Sequence, residues 1–170
     1  MGRAFSFGTR MSRGNTFQSG AEMDEFKFFK TFKERGEWVE ALFIALALRH
    51  GFKVLKPWGD SGPFDVALYF GNRIVRVQVK STSCRSGTGY FCQFKPNYFS
   101  DPYTLAQLDF FAAYVIMQNA WYLIPAKVLL GGPSKKQGLM LCPMQPLKKN
   151  RYRYEHYREA WPLLRPRRKR

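Results

Sequence analysis

Residues 41–48 form an eight-residue apolar stretch in which no polar side chain occurs. Glu37, Trp38, Val39 and Glu40 precede it, and Arg49, His50 and Gly51 follow. A stretch apolar on every face of a helical wheel predicts a helix over residues 37–50 that is almost wholly buried against a sheet. Gly51 supplies its C-terminal stop, and Thr31 with Glu34 has the spacing of a capping box further upstream. The pattern then changes to the two-residue period of strands. Residues 64–70 and 73–80 are rich in Val, Tyr, Phe and Ile, and Gly71-Asn72 between them is a two-residue hairpin signal. In the second strand Val75, Val77 and Val79 point one way while Arg76, Gln78 and Lys80 point the other. Further strands are predicted at residues 90–95, 110–117 and 121–124, with loops at 81–89 and 131–136. Residues 152–164 read as a short aromatic helix interrupted or ended at Pro162. No internal repeat is present. A helix followed mainly by strands argues for an α/β or α+β single domain, with residues 1–22 as a Gly/Ser-rich leader, 23–164 as the domain and 165–170 as a basic tail.

The hairpin turn has a geometric consequence. With Gly71 and Asn72 as the loop, Phe70 pairs with Arg73, and counting back places Asp65 directly opposite Gln78. Opposed residues share one face with their Cβ atoms about 4.5–5.5 Å apart, and Lys80 lies on that face two residues further on. A carboxylate, an amide and an ammonium group therefore converge at one end of the hairpin. Glu40 lies on the helix among Phe43, Ile44 and Ala47, with nothing polar in residues 41–48 to pair with it, and a buried carboxylate needs a partner. A divalent cation shared with Asp65 is one such partner. Hard ions such as Mg²⁺ take oxygen ligands, and Glu40, Asp65, the Gln78 side-chain oxygen and the Val79 carbonyl make a suitable set. Lys80 beside it could orient or deprotonate an attacking water and stabilise developing phosphate charge.

Charge gives this constellation a purpose. The 170 residues carry 28 Lys and Arg against 12 Asp and Glu, a net charge of +16. Of those 12 acids only Glu155 and Glu159 lie beyond Asp109. Arg165, Arg167, Arg168, Lys169 and Arg170 close the chain, and Arg85 sits in the loop after Lys80. Such a balance points to a polyanion, nucleic acid before an anionic membrane surface. The closing arginines would act on backbone phosphates, adding affinity and salt dependence without sequence preference. No stretch approaches the roughly 18 apolar residues of a membrane span. The leader lacks the apolar segment of a secretory signal. Cys84, Cys92 and Cys142 are odd in number and lack C-x-x-C spacing, which speaks against disulfide or zinc scaffolds and for a reducing cytoplasm. His50 reads as a helix-end residue at the negative dipole end. Residues 131–136 lack the P-loop spacing. Tyr152, Tyr154, Tyr157 and Trp161, interleaved with Arg151, Arg153 and Arg158, suit either a base-stacking surface or an aromatic face on the core.

At these residues the sequence resembles the PD-(D/E)XK nuclease superfamily, whose pattern is an acid on a first helix, an Asp opening one strand and (D/E)-x-K on the next. Glu40, Asp65 and Gln78-Val79-Lys80 fill those places, with Glu37 the rival for the helix acid. Gly36-Glu37, Gly51-Phe52-Lys53-Val54 and Lys56-Pro57-Trp58-Gly59-Asp60 are similar to archaeal Holliday-junction resolvases. They are more similar to group I intron-type endonucleases, in which Gln replaces the second acid as in Arg76-Val77-Gln78-Val79-Lys80-Ser81-Thr82. Asp109-Phe110-Phe111-Ala112-Ala113-Tyr114-Val115 and Trp121-Tyr122-Leu123-Ile124-Pro125 resemble later strands of that group. The resemblance covers residues 34–128. It implies a restriction-endonuclease-like α/β core, a mixed central sheet flanked by helices, and a DNA endonuclease using Mg²⁺ with Mn²⁺ as substitute. The products would carry 5′-phosphate and 3′-hydroxyl ends. Double-strand cleavage by a one-site subunit calls for an oligomer. The departures are Phe64 between Pro63 and Asp65, and the charge removed at Gln78. The second leaves open a non-catalytic nucleic-acid-binding protein that keeps the fold.

Overall fold

The computed structural model describes residues 29–59, 62–70, 72–94, 102–132, 138–143 and 153–165. The helix α1 spans Phe32–Arg49 and starts where the capping spacing predicts, with the Glu34 N–H donating to Thr31 Oγ1 at 3.1 Å. It ends at His50, and Gly51 takes φ +79°, a left-handed conformation that suits glycine. His50 stands at the helix end as expected, its ring stacked on Trp161 at 4.6 Å.

The strands are β1 (Lys53–Leu55), β2 (Val66–Phe70), β3 (Arg73–Thr82), β4 (Arg85–Ser86), β5 (Gly89–Gln93), β6 (Phe110–Val115), β7 (Ala120–Pro125) and β8 (Gly138–Leu141), with a short helix α2 at Ala126–Leu130. They form a five-stranded sheet in the order β1-β2-β3-β6-β7 and a three-stranded sheet in the order β4-β5-β8. All pairs are antiparallel except β3 with β6, so the larger sheet is mixed. A parallel pair needs a crossover connection, and here that connection carries β4 and β5. The smaller sheet is thereby laid on one face of the larger one. Phe111, Ala113, Val115, Tyr122 and Ile124 meet Tyr90, Cys92, Leu139 and Leu141 there in a buried core. On the opposite face, given by the two-residue alternation, Trp121 and Tyr114 receive α1 through Phe43 (5.5 Å) and Trp38 (6.1 Å) between ring centroids. Cys84, Cys92 and Cys142 are all free thiols.

Two expectations need correction. The helix is not almost wholly buried: Val39, Phe43 and Ala47 form a single buried stripe, while Leu48 is 55% exposed and Ala41 and Ala45 face outward. The reason is layering, because α1 meets one sheet face and no described element packs on its outer side. As expected for this core, helices flank the sheet, α1 being the long one and α2 the short one among the described residues. Residues 153–164 form no continuous helix either. They make two 3₁₀ turns, Glu155–Tyr157 and Trp161–Leu164, and Pro162 opens the second turn rather than ending one. Between the turns Glu159 takes φ +50°. Its N–H donates to the Trp121 carbonyl at 2.8 Å and its Oε1 accepts from the Trp121 N–H at 2.7 Å. This segment is thus tied along the edge of β7, where coiling into a helix would break both bonds. The strand pattern also predicts nothing at β1, β4 or β8.

The same segment carries a buried acid. Glu155 accepts from the Tyr122 hydroxyl at 2.8 and 2.9 Å and from the Cys142 N–H at 2.9 Å, with Arg158 at 3.6 Å. Burial and this carboxylate push the Tyr122 phenol well above its ordinary range, so it remains a donor. Tyr154 and Trp161 are buried, so these aromatics pack on the core. Replacing Glu155 by Ala leaves the Tyr122 hydroxyl and the Cys142 N–H without this acceptor and removes the carboxylate beside Arg158, which keeps the Pro143 carbonyl. We expect Glu155→Ala to lose roughly 3–5 kcal/mol in denaturant unfolding, and Glu155→Gln clearly less.

Candidate active site

The hairpin register is the one the turn predicts: Phe70 pairs with Arg73 and Val66 with Val77. Asp65 lies one residue before β2 and faces Gln78. Its Oδ2 accepts from Gln78 Nε2 at 2.5 Å and from the Val79 backbone N–H at 2.7 Å, while its own N–H donates to the Val77 carbonyl at 3.1 Å. In an extended strand the N–H and C=O of one residue point to the same side. The Val79 carbonyl therefore also aims at the opening where β3 runs on past the start of β2.

Charge surrounds this carboxylate. Burial pushes the Asp65 carboxyl up to about 6, the Val79 N–H pulls it back, Glu40 raises it, and Lys80 and Gln78 lower it. Glu40 from α1 and Lys80 from β3 thus both act on Asp65, and the structure brings the four expected side chains to one end of the hairpin. Lys80 also lies over the Tyr103 ring, 5.7 Å from its centroid. Glu37, the rival helix acid, is turned away: its side chain is 61% exposed and pairs with Lys33 at 4.0 Å.

Two features escape the sequence pattern. Glu40 does have a polar partner, Lys56, at 3.0 Å, a part-exposed pair worth at most about 1 kcal/mol. It lies just past β1, a strand too short for its period to show. The other is a clamp between β3 and β6. Arg76 donates from Nε and Nη2 to the two Asp109 carboxylate oxygens at 3.0 and 3.2 Å and from its N–H at 2.8 Å, and the Asp109 N–H returns to the Arg76 carbonyl at 3.0 Å. Burial would raise the Asp109 carboxyl, but the Arg76 bonds and charge outweigh it and hold the group below its usual range. The clamp sets the parallel register that places Gln78 beside Phe111 and Lys80 beside Ala113.

The outlying cations fare differently. Arg85 is exposed on β4. Arg165 is fastened to the domain, donating to the His50 carbonyl at 3.0 Å with its guanidinium 5.7 Å from the Phe52 ring, so the tail does not begin there. Arg167, Arg168, Lys169, Arg170 and the 1–22 leader lie outside the described residues.

Residues 30–163 match the family described as PD-(D/E)XK endonuclease. The chain belongs to the PD-(D/E)XK endonuclease family. Among solved structures it is similar to a bacterial homing endonuclease, I-Ssp6803I, with 28% identity and a TM-score of 0.64 over 80% of this chain and 92% of that one. A comparison with curated proteins finds no match. The mixed five-stranded sheet with its helix is the fold expected for such an endonuclease. No helix among the described residues is long and apolar enough to cross a membrane.

As a metal centre for this endonuclease fold, the donor set is unusual. Among the described residues no three His, Cys, Asp or Glu side chains cluster to hold an ion. A cation at Asp65 would therefore combine carboxylates with neutral oxygens, for which Gln78 and the Val79 carbonyl stand nearest in the chain. All are hard donors of the kind Mg²⁺ and Mn²⁺ take. Gln78 turns its Nε2 to Asp65; a cation beside that carboxylate would favour the amide oxygen instead.

Asp65 makes a stability prediction with a definite sign. Its folded value near 6 exceeds the ordinary 3.8, so the folded chain prefers the protonated acid. Ionised Asp65 costs stability above about pH 6, and that cost vanishes below about pH 3.8. Without metal, Asp65→Asn should therefore melt higher than wild type at pH 7.5, by at most about 3 kcal/mol of stability, and the difference should close by pH 4. Thermal melts in EDTA across that range measure it.

Proposed function

We propose that this chain is a divalent-metal-dependent DNA endonuclease that hydrolyses a phosphodiester at the Asp65 end of the β2–β3 hairpin. The observation that carries the reading is the Asp65 carboxylate, fixed by Gln78 and the Val79 N–H and flanked by Glu40 and Lys80, in a chain of net charge +16. Asp65, Glu40, Gln78 and the Val79 carbonyl would hold Mg²⁺, with Mn²⁺ as a substitute. A bound ion of this kind would polarise the phosphate and lower the pKa of a water.

The residues of the chain have separable tasks. Asp65 is the principal anionic ligand, and its bonds to Gln78 and Val79 keep it in one orientation without further charge. Lys80, on the same face as Gln78, orients the attacking water and offsets the charge that builds on the phosphate oxygens. The Tyr103 ring restrains the Lys80 ammonium without neutralising it. Arg85 and the cations from Arg165 to Arg170 add phosphate contacts, and the products carry 5′-phosphate and 3′-hydroxyl ends. The likeness to a bacterial homing endonuclease favours duplex DNA as the substrate. Cutting both strands with one site per chain calls for a homo-oligomer.

The test is a plasmid assay in Mg²⁺ or Mn²⁺. Wild type should nick or cut, while Asp65→Ala and Lys80→Ala should each lose at least about 10²-fold in rate and keep most of their DNA binding. Binding without cleavage by wild type in both metals would favour a non-catalytic nucleic-acid-binding protein instead. The tail makes a second expectation. Changing Arg167, Arg168, Lys169 and Arg170 to Ser should weaken DNA binding and flatten the log–log salt dependence by about 0.9 for each phosphate the tail no longer neutralises. An unchanged slope in filter binding would remove the tail from the interface.

A further inference from the structure

The Lys56–Glu40 pair has no part in the endonuclease reading, yet it occupies one of that reading's ligands. Lys56 Nζ lies 3.0 Å from Glu40 Oε2, with the lysine side chain 56% exposed and the glutamate 23%. Leu55 pairs with Ala67, so continuing the register brings Lys56 level with Val66, on the face that α1 covers. Lys56 thus shares the Val66 side of the sheet with Glu40, while Asp65 is flanked by Glu40 and by the β3 ammonium of Lys80. At neutral pH these four groups balance, two carboxylates against two ammonium groups. Asp65 is also satisfied by Gln78 and Val79, so every anionic group of the site already has a partner.

A divalent ion on Glu40 and an ammonium group 3.0 Å from its Oε2 would repel each other at close range. The ammonium is the one that can leave, because it is part-exposed, sits on a flexible four-carbon stem and hydrates readily. Once it leaves, the loaded site carries surplus positive charge, which a phosphate of bound DNA would offset. We propose that Lys56 is a placeholder cation: it holds Glu40 while the site is empty of metal and passes to a substrate phosphate when Glu40 takes a divalent ion. The inference rests on the endonuclease reading and adds to it a second substrate-contacting cation and a coupling between metal and DNA. A lysine that merely braced Glu40 would act in the opposite direction, since its loss would weaken metal binding.

Two measurements on the full chain separate these cases. Mn²⁺ binding without DNA, followed by the loss of free-ion electron paramagnetic resonance signal, should be roughly threefold or more tighter in Lys56→Met than in wild type, and should collapse in Asp65→Ala. Duplex binding should then be titrated with salt, once with Ca²⁺ and once with EDTA. With Ca²⁺ the Lys56→Met slope should be shallower than wild type by about 0.9, with Lys56→Arg restoring it. In EDTA, where Glu40 keeps Lys56, the slopes should coincide. Equal or weaker Mn²⁺ binding by Lys56→Met overturns the proposal, as does a slope difference that persists in EDTA or is absent in Ca²⁺. If wild type and Asp65→Ala bind Mn²⁺ alike, the endonuclease reading itself has failed, an outcome that does not involve position 56.

Discussion

The active-site end depends on a side chain standing in for a strand. β3 continues to Thr82, but β2 begins only at Val66, so the Val79 N–H points beyond the start of its neighbour. Asp65 Oδ2 accepts that N–H at 2.7 Å. A buried N–H left unpaired costs about 1–3 kcal/mol, so folding itself demands an acceptor at this position. The same placement removes the carboxylate from most of its water and raises it to about 6. One hydrogen bond therefore finishes the sheet and prepares an anion that gains by acquiring a cation. Fold and site meet here, because the carboxylate that caps the Val79 N–H is also the central group of the candidate site.

The other side of the site is set by the parallel pair. The Arg76–Asp109 clamp fixes how β6 lies on β3, and the crossover between them delivers β5 to the face that bears Gln78 and Lys80. Cys92 on β5 is buried, and burial drives its thiol up to about 12 even though Lys80 pulls it down. It therefore remains a neutral wall and takes no charge from the lysine. Tyr103 contributes a ring face to the same ammonium. Lys80 is thus confined by groups that do not pair with it as an anion would, which keeps its charge available to a phosphate.

How much of this is legible in the sequence follows from the range of each interaction. The hairpin is legible in full, because Gly71-Asn72 fixes the register and the register alone puts Asp65 opposite Gln78. The start of α1 is legible too, since Thr31 and Glu34 cap it locally. The burial of α1 is not, because an all-apolar wheel records compatibility with two covering layers and the fold supplies one. Lys56 is hidden for a related reason: its contact with Glu40 depends on β1 pairing with β2, and three residues show no usable period. Glu155 is the least legible, because its partners Tyr122 and Cys142 come from distant segments and nothing around residue 155 marks it as buried. The mixed aromatic and basic segment around it fits a surface as well as a core until the β7 edge is seen to hold it.

Gln78 can be understood through the balance of charge. A third carboxylate beside Asp65 and Glu40 would leave the empty site net negative, and charges within a Debye length of about 8–10 Å repel a phosphate strand effectively. With an amide there instead, Asp65 is oriented as firmly, by a 2.5 Å bond, and the empty site stays neutral within a strongly basic chain. Under the proposed reading the cost is one anionic ligand, so a cation would meet a weaker site until a phosphate oxygen joined the coordination. Metal binding that is weak alone and firm with DNA would be a coupling between the two ligands. It follows from one neutral side chain at position 78 and needs no movement of the fold.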